Sequence, residues 1–363
     1  MQRQTARRSE RGRSATEAIR IGLAIPLRGP GGIFGPSCEA VAELCRRRLN
    51  VTGVLGRPVE FEVIDAGQPA RQVARNVRGL LDAGRIDGLT GWHISSVREA
   101  VAPVTQGRIP YVYTSLYEGG ESRPGVYCTG ETPDDQVAPA LTWLRDELGL
   151  RRWHIVGSDY VWPRRSVRAT SRYARSLGLR IASVTFVRFA TEQFAAVLDR
   201  IEHGRSADGV LMFLVGQDAV QFNREFASRG LHERLLRVTP LMEENMLLAS
   251  GPRATQNLYV AAGYFRSLPT GNSMDFVGDY VDAFGPEAPP LNNQAESCYE
   301  GIELLASLFT AARGVSLDAV SRVPDGLGYE GPRGSMELRA GHLRQRIYLA
   351  RAAAADFDIV AAL

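Results

Sequence analysis

The stretch WHIVGSDYVWPR, residues 153–164, passes from an apolar run through Gly157 and Ser158 into an arginine-rich segment of helical period that reaches Leu177. An apolar run that stops at a glycine and gives way to a 3.6-residue pattern reads as a strand entering a helix. Such a turn sets Tyr160 and Trp162, two large rings with hydrogen-bonding tips, beyond the carboxyl end of the strand. In open α/β sheets that is where ligands bind. Pro163 suits the first turn of the helix, where its missing N–H is not needed.

The same alternation extends in both directions. Before it lie β-rich runs at 19–27, 59–66, 87–92, 109–114 and 125–129, with helical periods near 37–49, 70–81, 96–105 and 134–148. After it come runs at 180–187, 209–215, 236–240 and 258–265, with helices near 194–203 and 219–228. Strand alternating with helix gives a parallel sheet covered on both faces. The rhythm pauses near 148 and starts again at 152, which predicts two doubly wound α/β lobes with no long low-complexity linker. Beyond 264 the turn-rich RSLPTGNS leads into two amphipathic helices, 274–284 and 293–313, and the closing segment 335–363 alternates like two strands joined by a turn. This late helical return points to a chain that crosses between the lobes more than once, leaving a cleft as the natural ligand site.

Composition narrows the function. With 363 residues, 44% of them hydrophobic and 23% charged, the chain can bury a large core. All 43 basic residues are arginine, so there is no lysine for a Schiff base, a phosphate-binding loop or a Ser-Lys dyad. A net charge of +3, scattered among acids, argues against direct binding of nucleic acid. Residues 1–19 read as a basic disordered tail without the apolar core of a secretory signal, and no run approaches the roughly 18 apolar residues of a membrane span. Cys38, Cys45, Cys128 and Cys298 show no ligand spacing and read as reduced, buried thiols. The expected location is the cytoplasm, or the periplasm or another extracytoplasmic site if the start is misassigned.

Catalytic signatures fail. There is no HExxH, GxSxG or helix-opening GxGxxG, and the five histidines lie far apart, so no catalytic group, metal or cofactor is expected. The glycine-rich RGPGGIFG, 28–35, is either a ligand-facing loop or a plain tight connection. Glu243 and Glu244 read as a solvated helix start. What stands out is that three strand ends present Ser95, Ser115 and Tyr160, with His93, Tyr113 and Trp162 beside them. Each serine alone could be a helix cap or turn residue. Together they suggest a polar site.

GSDYVWPR, with GWHISSVREAVAPV (91–104) and YTSLYEGGE (113–121), resembles the type-I periplasmic-binding-protein superfamily, in particular its branch of the amide receptor of aliphatic-amidase operons and the urea- and short-amide-binding proteins. The resemblance spans roughly residues 20–350. It implies two α/β lobes joined by three crossovers, divided as 20–131 plus 264–336 and 132–263 plus 337–363. It also implies that Ser95, Tyr113 and Ser115 hold the ligand from the first lobe and Tyr160 from the second, with Trp162 walling the pocket. His93 stands where the amide receptor has a tyrosine, Ser115 where it has a threonine, Leu116 where it has a proline and Trp162 where it has another tyrosine. Glu243 falls near the position where branched-chain amino-acid binders hold the α-ammonium.

The function this implies is a cytosolic sensor of a short amide, urea or related small molecule, acting through an RNA-binding antiterminator to regulate an amidase-type operon. The alternative is the substrate-binding component of an ABC transporter, with a permease as its partner and urea, short amides or branched-chain amino acids as ligands. An enzyme is not expected.

Overall fold

Strand β1 (Ile19–Ile25) is buried at every position except Arg20, as a strand covered on both faces must be. The computed structural model describes residues 17–191, 193–204 and 206–363, so nearly all of the expected N-terminal tail lies outside the described residues. Ile19, placed in that tail by sequence, already pairs with Val59. Around β1 run β2 (Val59–Asp65), β3 (Gly88–Thr90), β4 (Tyr111–Tyr113) and β5 (Val126–Cys128), all parallel, in the order β5-β4-β3-β1-β2. A second parallel set, β10-β9-β8-β6-β7, is built from β6 (Arg152–Ser158), β7 (Arg180–Val187), β8 (Gly209–Phe213), β9 (Leu236–Thr239) and β10 (Leu258–Ala262). The two sheets are the two α/β lobes read from the alternation.

The C-terminal segment departs from the sequence reading. Instead of one pair of strands there are five: β11 (Leu327–Gly331), β12 (Gly334–Arg339) and β13 (His342–Arg344) extend the first sheet, whereas β14 (Tyr348–Ala353) and β15 (Asp356–Ala362) extend the second. The expected lobe boundary at 336 therefore moves to 345–347, because β12 pairs with β11 and β13 and cannot leave the first sheet. The lobes are joined at 129–132, 263–270 and 345–347.

Helices cover both faces. In the first lobe α1 (Gly35–Thr52), α2 (Ala70–Asp82) and α3 (Ser95–Thr105) follow the strands. In the second, α4 (Pro133–Leu148) starts with a capping box in which the Thr132 N–H and hydroxyl donate to the Asp135 carboxylate, and α5 (Val161–Ser176), α6 (Ala195–His203) and α7 (Gln217–Ser228) follow. The short α8 (Glu244–Ser250) ends at Gly251. After the second crossover α9 (Gly271–Phe284) and α10 (Asn293–Ala312) return to the first lobe, where α10 packs on α1, β3 and β4. The four cysteines are free and buried, as expected of them, three at this α1–α10 layer.

One buried cation holds the crossovers together. Arg333, in the turn between β11 and β12, has its guanidinium sealed from solvent. Its Nη1 donates to Glu131 of the first crossover at 3.0 Å and to Gln345 of the third, and its Nε donates to Glu296 of α10 at 2.5 Å. The Glu131 carboxylate also accepts the N–H of Gly263, the first residue of the second crossover, at 2.9 Å, and Gln345 returns a bond to the Thr129 carbonyl. Glu300, one turn beyond Glu296, lies 3.3 Å away. One arginine cannot neutralise three carboxylates, and burial pushes both Glu296 and Glu300 above the usual carboxylate range. Arg333→Met should lower unfolding free energy by about 3–5 kcal/mol, because it leaves buried carboxylates unpaired. Urea unfolding checks this, and Glu300→Gln in the same chain should recover part of the loss.

Candidate functional site

The carboxyl ends of both sheets face one another across the cleft. On the first-lobe side, β3 ends at Thr90 and the chain turns through Gly91, Trp92, His93 and Ile94 into α3. The helix N-cap is Ile94, without a side-chain cap, so Ser95 is the first helical residue and its hydroxyl is not spent on capping. It lies 3.4 Å from the hydroxyl of Tyr113, the buried last residue of β4. The structure thus brings Ser95 and Tyr113 together.

Ser115 is differently employed. Its hydroxyl donates to the His93 carbonyl at 2.7 Å and accepts the His93 N–H at 3.0 Å, tying the β3 and β4 loops to each other. Its single proton is committed within the lobe, so toward a ligand it could only accept. His93 is likewise fixed. Its Nδ1 lies 3.2 Å from the Ala24 carbonyl, an acceptor only, so Nδ1 carries the proton and Nε2 accepts from the Tyr111 hydroxyl at 2.5 Å. Burial pushes the imidazole down to about 4, so it stays neutral and offers a ring rather than a charge.

On the second-lobe side, Tyr160 is the N-cap residue of α5, half-buried, with its ring 5.2 Å from that of Phe189. Among the described residues its hydroxyl has no hydrogen-bond partner. Burial, reinforced by nearby Tyr113 on the other lobe, raises its phenol well above the ordinary value. Trp162 does not wall the cleft. As the second residue of the helix it turns back into the lobe, buried with its ring 5.7 Å from Phe213.

Glu243 is also not where an α-ammonium reader would need to be free. It caps α8 in the second lobe, and its carboxylate reaches across to α10, accepting from the Asn293 N–H at 3.0 Å and from the Gln294 side-chain amide at 2.5 Å. Trp92 donates to the other end of the same Gln294 amide. Glu243 and Glu244 are both buried, which overturns their reading as a solvated helix start. A second link crosses at Arg165 of α5, whose Nη1 lies 2.9 Å from Glu99 and 3.2 Å from Glu118. Glu118 is itself held by buried Arg98 at 2.7 Å, and Arg98 stacks over the rings of Tyr113 and Tyr117.

A cavity of about 350 Å³ opens at the ends of β1, β2 and β3. Pro26, Trp92, Ile94 and Val97 make apolar walls, Gln68, His93 and Ser96 add polar groups, and Arg28, paired to Asp65 at 2.5 Å, also lines it. Phe189 is the lining residue contributed by the second lobe. Gly31 of the RGPGGIFG loop lines it too, and that loop touches the second lobe, where Asn245 donates to the Ile33 carbonyl at 2.8 Å, so it is a cleft loop and not a plain connection. Sequence reading missed Phe189 and Gln294 altogether, since neither lies in a motif.

The profile of the periplasmic binding protein family matches residues 18–356. Among solved structures, a solute binding protein of an ABC transporter from Rhodopseudomonas palustris BisB5, in complex with 3,4-dihydroxybenzoic acid, is 20% identical with a TM-score of 0.85, covering 96% of this chain and 98% of that one. A second solute binding protein from R. palustris, in complex with benzoate, is 19% identical with a TM-score of 0.84, covering 95% and 96%. The branched-chain amino acid transporter substrate binding protein LivJ from Streptococcus pneumoniae, in complex with isoleucine, is 15% identical with a TM-score of 0.82, covering 95% and 98%. At these identities the likeness is one of fold. It supports the family as a whole and not the amide-receptor branch.

The buried carboxyls give a pH prediction. Burial, with the neighbouring Glu244, pushes Glu243 up to about 8, and burial pushes Glu244 up to about 7, from an ordinary 4.5. The folded chain then binds protons more tightly than the unfolded one. Their stabilising contribution is complete below 4.5 and is lost as pH rises through 7 and 8. The thermal midpoint should fall between about pH 5 and about pH 8.5, and Glu243→Gln should flatten that fall. An unchanged slope in the variant would show that Glu243 titrates normally.

Proposed function

Because the chain belongs to the periplasmic binding protein family, we propose that it is the solute-binding component of an ABC importer, working outside the cytoplasm and taking a small carboxylate with a flat apolar body between its lobes. The observation that carries this reading is the cavity at the β1, β2 and β3 ends. Its walls include proline, tryptophan, isoleucine, valine and phenylalanine side chains, with Arg28, Gln68, His93 and Ser96 as polar lining. About 350 Å³ is at the lower end of the range that encloses ring-sized ligands, and much of it would stay wet around a four-heavy-atom amide or urea.

The polar lining suits an anion. In the first turn of α3 the Val97 and Arg98 N–H groups bond the Ile94 carbonyl, which leaves those of Ser95 and Ser96, and the positive end of the helix dipole favours a carboxylate beside them. Arg28 is already balanced by Asp65, so it steers rather than neutralises. An α-ammonium is less well served, because both oxygens of Glu243 are occupied by α10. Benzoate and dihydroxybenzoate, the ligands of the two R. palustris structures, combine the required ring and carboxylate. Partner and location follow the same reading: an ABC permease, and an extracytoplasmic compartment.

Tyr160, whose hydroxyl has no partner among the described residues, and Ser95, whose hydroxyl lies 3.4 Å from that of Tyr113, are the proposed polar contacts from the two lobes, placed beside the cavity lining rather than in it. Calorimetry against benzoate, isoleucine, acetamide and urea tests the ligand class. Benzoate should bind at least about tenfold tighter than the amides. Binding of urea or acetamide alone would restore the amide reading and sink this one. With the bound ligand, Tyr160→Phe should weaken affinity about 5- to 150-fold, while leaving the thermal midpoint of the ligand-free protein nearly unchanged.

A further inference from the structure

Phe189 sits two residues beyond β7, in a turn whose next residue, Ala190, has φ 62°. A residue with a Cβ is disfavoured in that left-handed conformation, so something must hold it. The holder is Asp218, in the first turn of α7. Its Oδ2 accepts the Ala190 N–H at 3.1 Å and the Ser158 hydroxyl at 3.3 Å. Ser158 ends β6, two residues before Tyr160, whose ring packs edge-on against Phe189. One carboxylate thus draws together the β6 end, the β7 turn and the start of α7.

The same corner meets the first lobe. Gly216, the N-cap of α7 at φ 50°, approaches Pro30 so closely that a Cβ would stand 2.0 Å from the Pro30 carbonyl oxygen. Asp218 itself does not line the cavity, and no cation pairs with it among the described residues. Burial pushes it up to about 6, so the carboxylate is held at a cost in stability, which points to a role in placement.

We propose that Asp218 is a positioning residue that fixes Phe189 across the cavity and so sets its preference for flat apolar ligands. The inference rests on the proposed function. It predicts that Asp218 and Phe189 act as one unit.

Asp218→Ala, Phe189→Ala and the double variant are compared by calorimetry with benzoate and with isobutyrate, a branched carboxylate that gains less from ring stacking. Each single variant should weaken benzoate about tenfold and isobutyrate by less than about threefold. The double variant should be no worse than either single, whereas independent sites would multiply their effects. Asp218→Asn, which keeps an acceptor oxygen for Ala190 and Ser158, should stay within about threefold of the parent. Multiplying losses, or equal losses for the two ligands, would overturn the proposal. A Phe189→Trp reporter separates this from failure of the function itself. In the ligand-free protein, adding Asp218→Ala should raise acrylamide quenching of the reporter, taken as the difference from the parent. If no carboxylate binds, the importer reading falls, and unchanged quenching would refute the placement by Asp218 as well.

Discussion

Everything about the cleft depends on the crossovers keeping their register, and that register rests on Arg333. The three connections are spread over more than 200 residues of sequence, yet Glu131, Gly263 and Gln345 meet through one guanidinium and one carboxylate. Glu296 anchors the cluster to α10, the long helix that also presents Gln294 to the other lobe. The charge that organises the hinge is therefore rooted in the first lobe. A buried ion cluster is weak evidence for stability, since a well-packed apolar replacement can do as well. Its value here is directional, because fixed donor geometry specifies which backbone groups of the three connections lie together.

The two sides of the cleft divide their tasks unequally. The first lobe is wired shut inside itself: Ser115 binds the His93 backbone, His93 binds Ala24 and Tyr111, and Arg98 is clamped by Glu118 and Glu121. Such a surface is preorganised, so little order is lost when a solute docks. The second lobe brings fewer pieces, Tyr160 with an uncommitted hydroxyl and Phe189 on a turn held by Asp218. Closing links such as Arg165 to Glu99 and Glu118 pair a half-exposed arginine with partly or wholly buried acids, an arrangement sensitive to ionic strength on the solvent side.

Much of this architecture was legible in the sequence, because parallel strands and their helices leave strong periodic signals. The turn after β6 was found from Gly157 and Ser158 alone, and Tyr160 stands at that strand end. Trp162 was misjudged because two residues further the helix has begun, and its second position points back toward the lobe core. Ser115 looked available because its partner is a backbone group 22 residues away. Glu243 looked exposed because Asn293 and Gln294 approach it only once the second crossover has returned α10 to the first lobe. The C-terminal strands were undercounted since β11, β12 and β13 are short strands at one end of the first sheet whose alternation, partly exposed, resembles loop. The likeness to amide-binding proteins drew on side chains at strand ends, and the cavity is decided as much by Phe189, which belongs to no motif.

The placement of the last five strands has a consequence for how the chain matures. The first sheet is not complete until 344 and the second not until 362, and Arg333, on which the hinge depends, arrives only with β11 and β12. Neither lobe can finish as an autonomous unit while the chain is being synthesised, and the pairings of β13 with β5 and of β14 with β10 span long loops. High contact order of this kind makes folding slow. Each lobe therefore receives its last strands only from residues 327–363 of the chain, so removing that segment would open both sheets at once.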